Sequence, residues 1–479
     1  MKPRPRSHSR SPSRSHTLWS QAQGNGADEM MLTYTVGDDR HWDTRLLSWD
    51  VLGSLGHIEG LRASGLLSVK DYRALRAGLR DGLRAVRRGT LRIEARHEDA
   101  HTAVEHWLTR RLGLVGERLH TGRSRNDQIA SDLRLYLKAA LLGIHEETSR
   151  LIEALLGFSA RHKDALWPGY THQRRAMPSS AGLWSAAFAE GLLDTLESLP
   201  ALWARIDRCP LGSAAGYGVP LPLDRRAASR ALGFAAPEHN VAAVQNGRGK
   251  LEAAVLGWCA ELGHEAGKLS TDAVLYSGEE YGLLLIPTDL ATGSSLMPHK
   301  RNPDVFELTR ARAVALDADL VAVLTLKGKL GSGYHRDFQL LKEPLLRGLD
   351  RTREMVAMLA SVVPRLRVNR ARGAALLAGD PLVTDEVLRR VETGEPFRAA
   401  YRSVAAGLAR GERFPAPKEA ALLKRRRSPG SLGNLDLGAV RVRLAARRRW
   451  DARVSRRYRT ALSRLAGPGG GSGAGAFTP

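Results

Sequence analysis

Two cysteines, Cys209 and Cys259, are all that 479 residues contain, which excludes a disulfide scaffold and a cysteine-rich zinc or iron–sulfur site. No run of about 18 apolar residues occurs, so no transmembrane helix is expected. The first 20 residues are basic but lack the apolar stretch of a secretory signal. Alternating polar and apolar stretches, the mark of strands, are nearly absent. A soluble protein of a reducing compartment, the cytoplasm, is the expectation.

Acidic residues are also scarce: 50 Asp+Glu face 73 Lys+Arg, a formal charge of +23. Such an excess could signal a nucleic-acid partner, but its position argues otherwise. Residues 1–20 hold five Lys/Arg and no acid, and residues 424–459 hold thirteen against Asp436 and Asp451. With Arg464 these segments carry seventeen of the net charges, leaving +6 on residues 21–423. No nucleic-acid partner is expected beyond what the basic tails could contribute, and no membrane partner.

What is present is core material and helical periodicity. Apolar residues make up 43% of the chain, and the length suggests about three domains. Leu133, Tyr136, Leu137, Ala140, Leu141, Ile144, Leu151, Ile152 and Leu155 recur three or four apart over many turns. Leu251, Val255 and Leu262, and the stretch 305–326, read similarly. Long helices without a sheet imply an all-α bundle. The expected division is a basic disordered extension over 1–30 and a helical domain over 31–122. A central long-helix bundle follows over 123–372, then a second helical domain over 373–464 and a Gly-rich disordered tail over 465–479. The glycines of that tail match a dinucleotide-loop spacing, but without a preceding strand and a following helix the match means nothing.

Polar breaks between the helical runs hold the candidate chemistry. The run His120-Thr121-Gly122-Arg123-Ser124-Arg125-Asn126-Asp127-Gln128 sets guanidinium groups, hydroxyls and amides just before a long helix, a mixture suited to gripping a carboxylate. Ordinary capping explains the same residues about equally well. Thr171 and His172 lie on a Pro-Gly loop, where a histidine can serve as general acid or base, although most loop histidines are merely solvated. Ser294, Lys300 and Asn302 lie in Gly293–Asn302, a Gly/Pro-framed loop of the type that closes over a substrate; Glu307 follows at the next helix start. Tyr334, Gln339 and Lys342 add a weaker group of donors. His97-Glu98-Asp99-Ala100-His101 fits the HExxH zinc pattern, yet no third ligand is suitably placed, and a five-residue match with two free positions arises readily by chance.

Taken together, these segments resemble the argininosuccinate lyases of the fumarase/aspartase superfamily. The 120–128 run looks like that family's own motif. Gly-Ser-Ser-Leu-Met-Pro-His-Lys-Arg-Asn-Pro at 293–303 is similar to the superfamily signature. Tyr170-Thr171-His172, the 210–218 run Pro-Leu-Gly-Ser-Ala-Ala-Gly-Tyr-Gly and Asp50-Val51-Leu52-Gly53-Ser54 fall in the family's order, and 97–101 resembles its Glu-Asp-x-His segment. Coverage runs from about residue 32 to 460.

The resemblance implies a homotetramer around a bundle of long helices, each active site shared between subunits. It implies a cofactor-free, metal-free anti elimination that splits argininosuccinate into arginine and fumarate, the last step of arginine biosynthesis. By position, Ser294 and His172, the latter paired with Glu307, become the acid/base residues, with Ser294 favoured as base. Lys300 and Asn302 would stabilise the carboxylate that gains charge. Ser124, Arg125, Asn126 and Thr171 would hold the succinyl part, and Tyr334, Gln339 and Lys342 the remainder. The sequence departs from the family pattern at Arg174 and Met177, at 245–250 and at 37–40. Alternatives are a superfamily lyase acting on another fumaryl adduct, or a non-catalytic structural homologue; retention of Ser294, His172, Lys300 and Glu307 argues against the latter.

Overall fold

The computed structural model describes residues 28–414 and 418–468; most of the two expected disordered tails lies outside them. Five long helices form the centre: Arg125–Arg161, Ala181–Ile206, Lys250–Ser277, Asp304–Lys327 and Lys342–Val362. The helix from Arg125 is 37 residues long and is stopped at its N-terminus by a reciprocal cap. The Ser124 hydroxyl accepts from the helix, and the Asp127 carboxylate accepts from the Ser124 N–H at 3.0 Å. Its apolar repeat is buried on nearly every side because helices 181–206 and 342–362 cover it. The 250–277, 304–327 and 342–362 helices pack together, and Gly348 lets them cross closely: a Cβ there would sit 2.4 Å from the Leu256 side chain. The all-α expectation holds.

Helices Leu47–Ala63, Val69–Arg87 and Ala100–Leu112 pack at the N-terminal side. After the bundle come Arg370–Leu377, Val383–Glu392, Phe397–Ala409 and the 30-residue helix Leu437–Ala466, which returns to lie on the 125–161 and 181–206 helices. Tyr458 anchors it, its buried hydroxyl donating to the Leu135 carbonyl at 2.6 Å. Among the described residues no helix is long and apolar enough to cross a membrane.

One local expectation is corrected. The Pro-Gly loop around His172 is an antiparallel hairpin, Leu166–Thr171 with Arg174–Ser180, in which Pro168 faces Pro178 and Thr171 faces Arg174. A two-residue turn, His172-Gln173, closes it with both residues left-handed, φ 51° and 57°. Such turns ordinarily use Asn-Gly, so neither residue signals one. The 293–303 loop is also pinched at its base, Thr292 pairing with Asn302 and Gly293 with Arg301.

Candidate active site

A cleft of about 180 Å³ opens at the N-terminus of the 125–161 helix. Five of the residues singled out from sequence line it: Arg125, Asn126, Tyr334, Gln339 and Lys342. They come from segments some two hundred residues apart, which only the folded chain brings together.

The helix start is rigidly built. Beyond its part in the cap, Asp127 accepts from the Gly212 and Ala214 N–H groups, both at 2.9 Å. That tie fixes the 210–218 run against the helix start, and burial pushes the Asp127 carboxyl up to about 6 despite those donors. Arg123 donates to Ser54 at 2.8 Å and His57 meets the Thr121 carbonyl at 3.0 Å, so the Asp50–Ser54 segment braces the same turn. Ser124 spends its hydroxyl on the Asn126 N–H at 3.3 Å and on capping.

Arg125 projects into the cleft and is held by acids. Its guanidinium meets Glu98 at 2.7 Å, Asp99 at 3.5 Å and the Thr102 hydroxyl at 3.1 Å. Burial opposes the charge, but Asp99 and Glu98 outweigh it and its pKa goes up. Glu98 also reaches Arg336 at 3.3 Å. Lys342 is buried between Asp39 and Asp43, 2.5 Å from each. Gln339 spends its amide on the Thr35 and Val36 carbonyls at 3.1 and 2.9 Å, pinning the N-terminal segment across the cleft. Tyr334 packs edge-on against Phe338, whose ring also faces Arg248.

Sequence reasoning missed the acids Asp39, Asp43, Glu98 and Asp99 and the cations Arg248 and Arg336 as cleft residues. Asp39, Glu98 and Asp99 stood in segments already noted as family-like or divergent, but nothing in their local pattern showed that they converge on Arg125 and Lys342. The zinc reading fails on geometry. The helix begins at Ala100 with Asp99 as its cap, so His97 and His101 are not one turn apart on a helix face. His97 accepts instead from the Glu94 N–H at 3.0 Å.

Behind the cleft, His101, Asp50 and Asp132 are close enough to share an ion. Their charges are already matched: His101 Nδ1 lies 2.7 Å from Asp50, and Arg123 adds a second cation to the same buried cluster. Burial opposes the His101 charge, yet Asp50 raises its pKa to about 9. An unfolded histidine titrates near 6.5. The stabilisation is therefore complete below about pH 6.5 and is lost as the pH rises through about 9. Urea unfolding should show the wild type losing more stability across that window than His101→Gln does.

Seven other singled-out residues do not line this cleft: Ser124, which caps the helix, and Thr171, His172, Ser294, Lys300, Asn302 and Glu307. Thr171 and His172 are exposed at the hairpin tip and Lys300 is exposed on the 294–300 loop; Ser294, Asn302 and Glu307 are half-buried. Ser294 Oγ accepts from the Met297 and Leu296 N–H groups at 3.0 and 3.3 Å, and the Asn302 amide donates to Thr292 at 3.4 Å. Glu307 has Arg310 beside it at 3.8 Å. Among the described residues no hydrogen bond or ion pair joins Glu307 to His172 within one chain.

Comparison with known proteins gives the family. A family model described as "Lyase" matches residues 42–316. The argininosuccinate lyase of Parabacteroides distasonis is 40% identical over 84% of this chain and 89% of its own length. That of Sorangium cellulosum is 41% identical over 89% of this chain and 98% of its own. Among solved structures, a variant of EDDS lyase with bound fumarate superposes with a TM-score of 0.77 at 25% identity, covering 93% of this chain and 96% of that one. The class II fumarase of Schistosoma mansoni shares the fold, with a TM-score of 0.68 at 16% identity over 83% of this chain and 90% of its own. The chain belongs to the argininosuccinate lyases, carbon–nitrogen lyases of the fumarase/aspartase superfamily.

Proposed function

We propose that this chain cleaves argininosuccinate to arginine and fumarate in the cytoplasm, as the last step of arginine biosynthesis. The observation that carries the reading is the convergence of Arg125, Asn126 and Lys342 at one cleft, in a chain about 40% identical to argininosuccinate lyases. The substrate carries carboxylates at both ends together with an amino group and a guanidinium. A cleft holding Arg125 and Arg336 beside Glu98, Asp99, Asp39 and Asp43 offers partners for both signs.

In the elimination, a base removes the proton on the carbon beside one succinyl carboxylate. The electron pair forms the C=C bond through an aci-carboxylate, the C–N bond breaks, and the leaving guanidino nitrogen takes a proton. Ser294 is the base in this reading. Two backbone N–H groups already point at its oxygen, and such donors favour the alkoxide. Lys300 and Asn302 stabilise the carboxylate as it gains charge. His172, oriented by Glu307, handles the second proton. Ser124, Arg125, Asn126 and Thr171 hold the succinyl part, and Tyr334, Gln339 and Lys342 shape the remaining contacts. The hairpin supports a working role for His172, because left-handed non-glycine residues persist where surrounding structure enforces them.

The loop and the hairpin do not line the cleft of their own chain, which supports a site completed by other copies in a homotetramer. A seam on the 304–327 helix supports this. Ala311, Val314, Ala318 and Val321 recur at alternating spacings of three and four and are all exposed, the pattern by which one helix packs against another. The Val314→Asp/Val321→Asp variant should elute as a smaller species in light-scattering chromatography and lose activity at least about 100-fold. In the same reading, residues 31–122, 123–372 and 373–464 are the three domains.

Fumarate release from argininosuccinate, followed by ultraviolet absorbance, tests the substrate. Turnover of another succinyl-amine adduct, with none of argininosuccinate, would transfer the function to a sister lyase. Arg174 and Met177, exposed on the hairpin beside His172, are where such a change of substrate would lie.

A further inference from the structure

The C-terminal helix Leu437–Ala466 treats its arginines in two different ways. Toward its N-terminal end two of them are neutralised: Arg443 meets Glu190, Asp194 and Glu197 of the 181–206 helix, and Arg448 meets Glu153. Toward its C-terminal end they are not. There the helix forms one wall of an open groove of about 620 Å³, flanked by the 47–63, 69–87 and 225–231 helices and the turn at Gly233. Six arginines line it: Arg76, Arg230, Arg453, Arg456, Arg457 and Arg464.

The groove contains a single carboxylate, Glu59, and that one is occupied. It accepts from the Tyr72 hydroxyl at 2.6 Å and has Arg76 at 3.8 Å. Arg457 donates to the Phe234 carbonyl at 2.7 Å. Arg230, Arg453, Arg456 and Arg464 have no carboxylate partner among the described residues. Four unpaired guanidinium groups facing one concave space repel one another, and a multiply charged anion would relieve that repulsion. Guanidinium forks match phosphate oxygens bidentately, and the volume falls within the roughly 300–1,000 Å³ of small-ligand sites.

We propose that this groove binds a polyphosphate anion, either free or as the phosphate chain of a nucleotide, at a site separate from the active-site cleft. A small ligand fits better than a polynucleotide, because the six arginines converge on one groove of small-ligand size.

The full-length protein is titrated with inorganic tripolyphosphate and, separately, with a nucleoside triphosphate, by calorimetry at about 0.15 M salt, where exposed charges are screened beyond about 8 Å. Saturable binding is expected, weakened at least about tenfold in Arg453→Gln/Arg456→Gln. It should be unchanged in Arg398→Gln/Arg402→Gln, which removes the same charge from the exposed face of the 397–409 helix. Lyase activity serves as the check that the groove variant is folded. Tighter binding of the nucleotide than of tripolyphosphate assigns the nucleotide as source, and equal binding assigns the bare phosphate chain. No saturable binding by the wild type, equal weakening in both variants, or binding only to a single-stranded oligonucleotide would overturn the proposal.

Discussion

Ser294→Ala is expected to lower kcat for fumarate release by about 1,000-fold or more while KM moves only a few-fold. The serine takes part in proton abstraction in this account and contributes little to holding the substrate, so its loss should raise the barrier without weakening binding. The fold should survive. Ser294 Oγ accepts only two N–H bonds within its own loop, and those donors can turn to water once the hydroxyl is gone. Steady-state kinetics together with an unchanged thermal midpoint would separate lost chemistry from lost structure. A fall in kcat of less than about tenfold would remove Ser294 from the chemistry.

Lys342→Met is expected to act through stability, destabilising each subunit by roughly 3–5 kcal/mol, because removing one partner of a buried ion cluster leaves the others unpaired. Lys342 is the cation between Asp39 and Asp43, at 2.5 Å from each. Even with it in place, burial pushes the Asp39 carboxyl up to about 6. Without it, the buried Asp43 and the half-buried Asp39 carboxylates face one another and the folded-state pKa of the pair climbs further. A carboxyl whose pKa is higher folded than unfolded takes up its proton more readily when folded. The variant should therefore regain stability as the pH is lowered from about 7 toward about 5. Urea unfolding at both pH values checks the sign. Adding Asp43→Asn to Lys342→Met should recover part of the loss at neutral pH, since it removes one of the two stranded charges.

The fold was readable because the long helices announce themselves by periodicity: Leu133 to Leu155 traces the buried face of the 125–161 helix. The hairpin was not readable, since His172-Gln173 lacks the Asn-Gly chemistry that normally forces a two-residue turn. About a third of the cleft was legible as motif chemistry, Arg125, Asn126 and Lys342 above all. The acids that hold those cations were hidden because their pairing is tertiary: Glu98 finds Arg125, and Asp39 finds Lys342 across some three hundred residues. By sequence Gln339 resembles a donor to substrate, whereas in the folded chain its amide ties down the Thr35 and Val36 carbonyls. Spacing along the chain carries no record of such partners.

In the proposed assembly, a cleft built around Arg125 works only when another copy supplies Ser294. Subunit exchange between the inactive variants Ser294→Ala and Arg125→Gln tests it most directly. If the two residues come from different chains, mixed tetramers contain some sites with both residues intact, and the mixture should recover up to about a quarter of wild-type fumarate release. No recovery in the mixture, when wild type carried through the same dissociation and reassembly regains its activity, would contradict the claim.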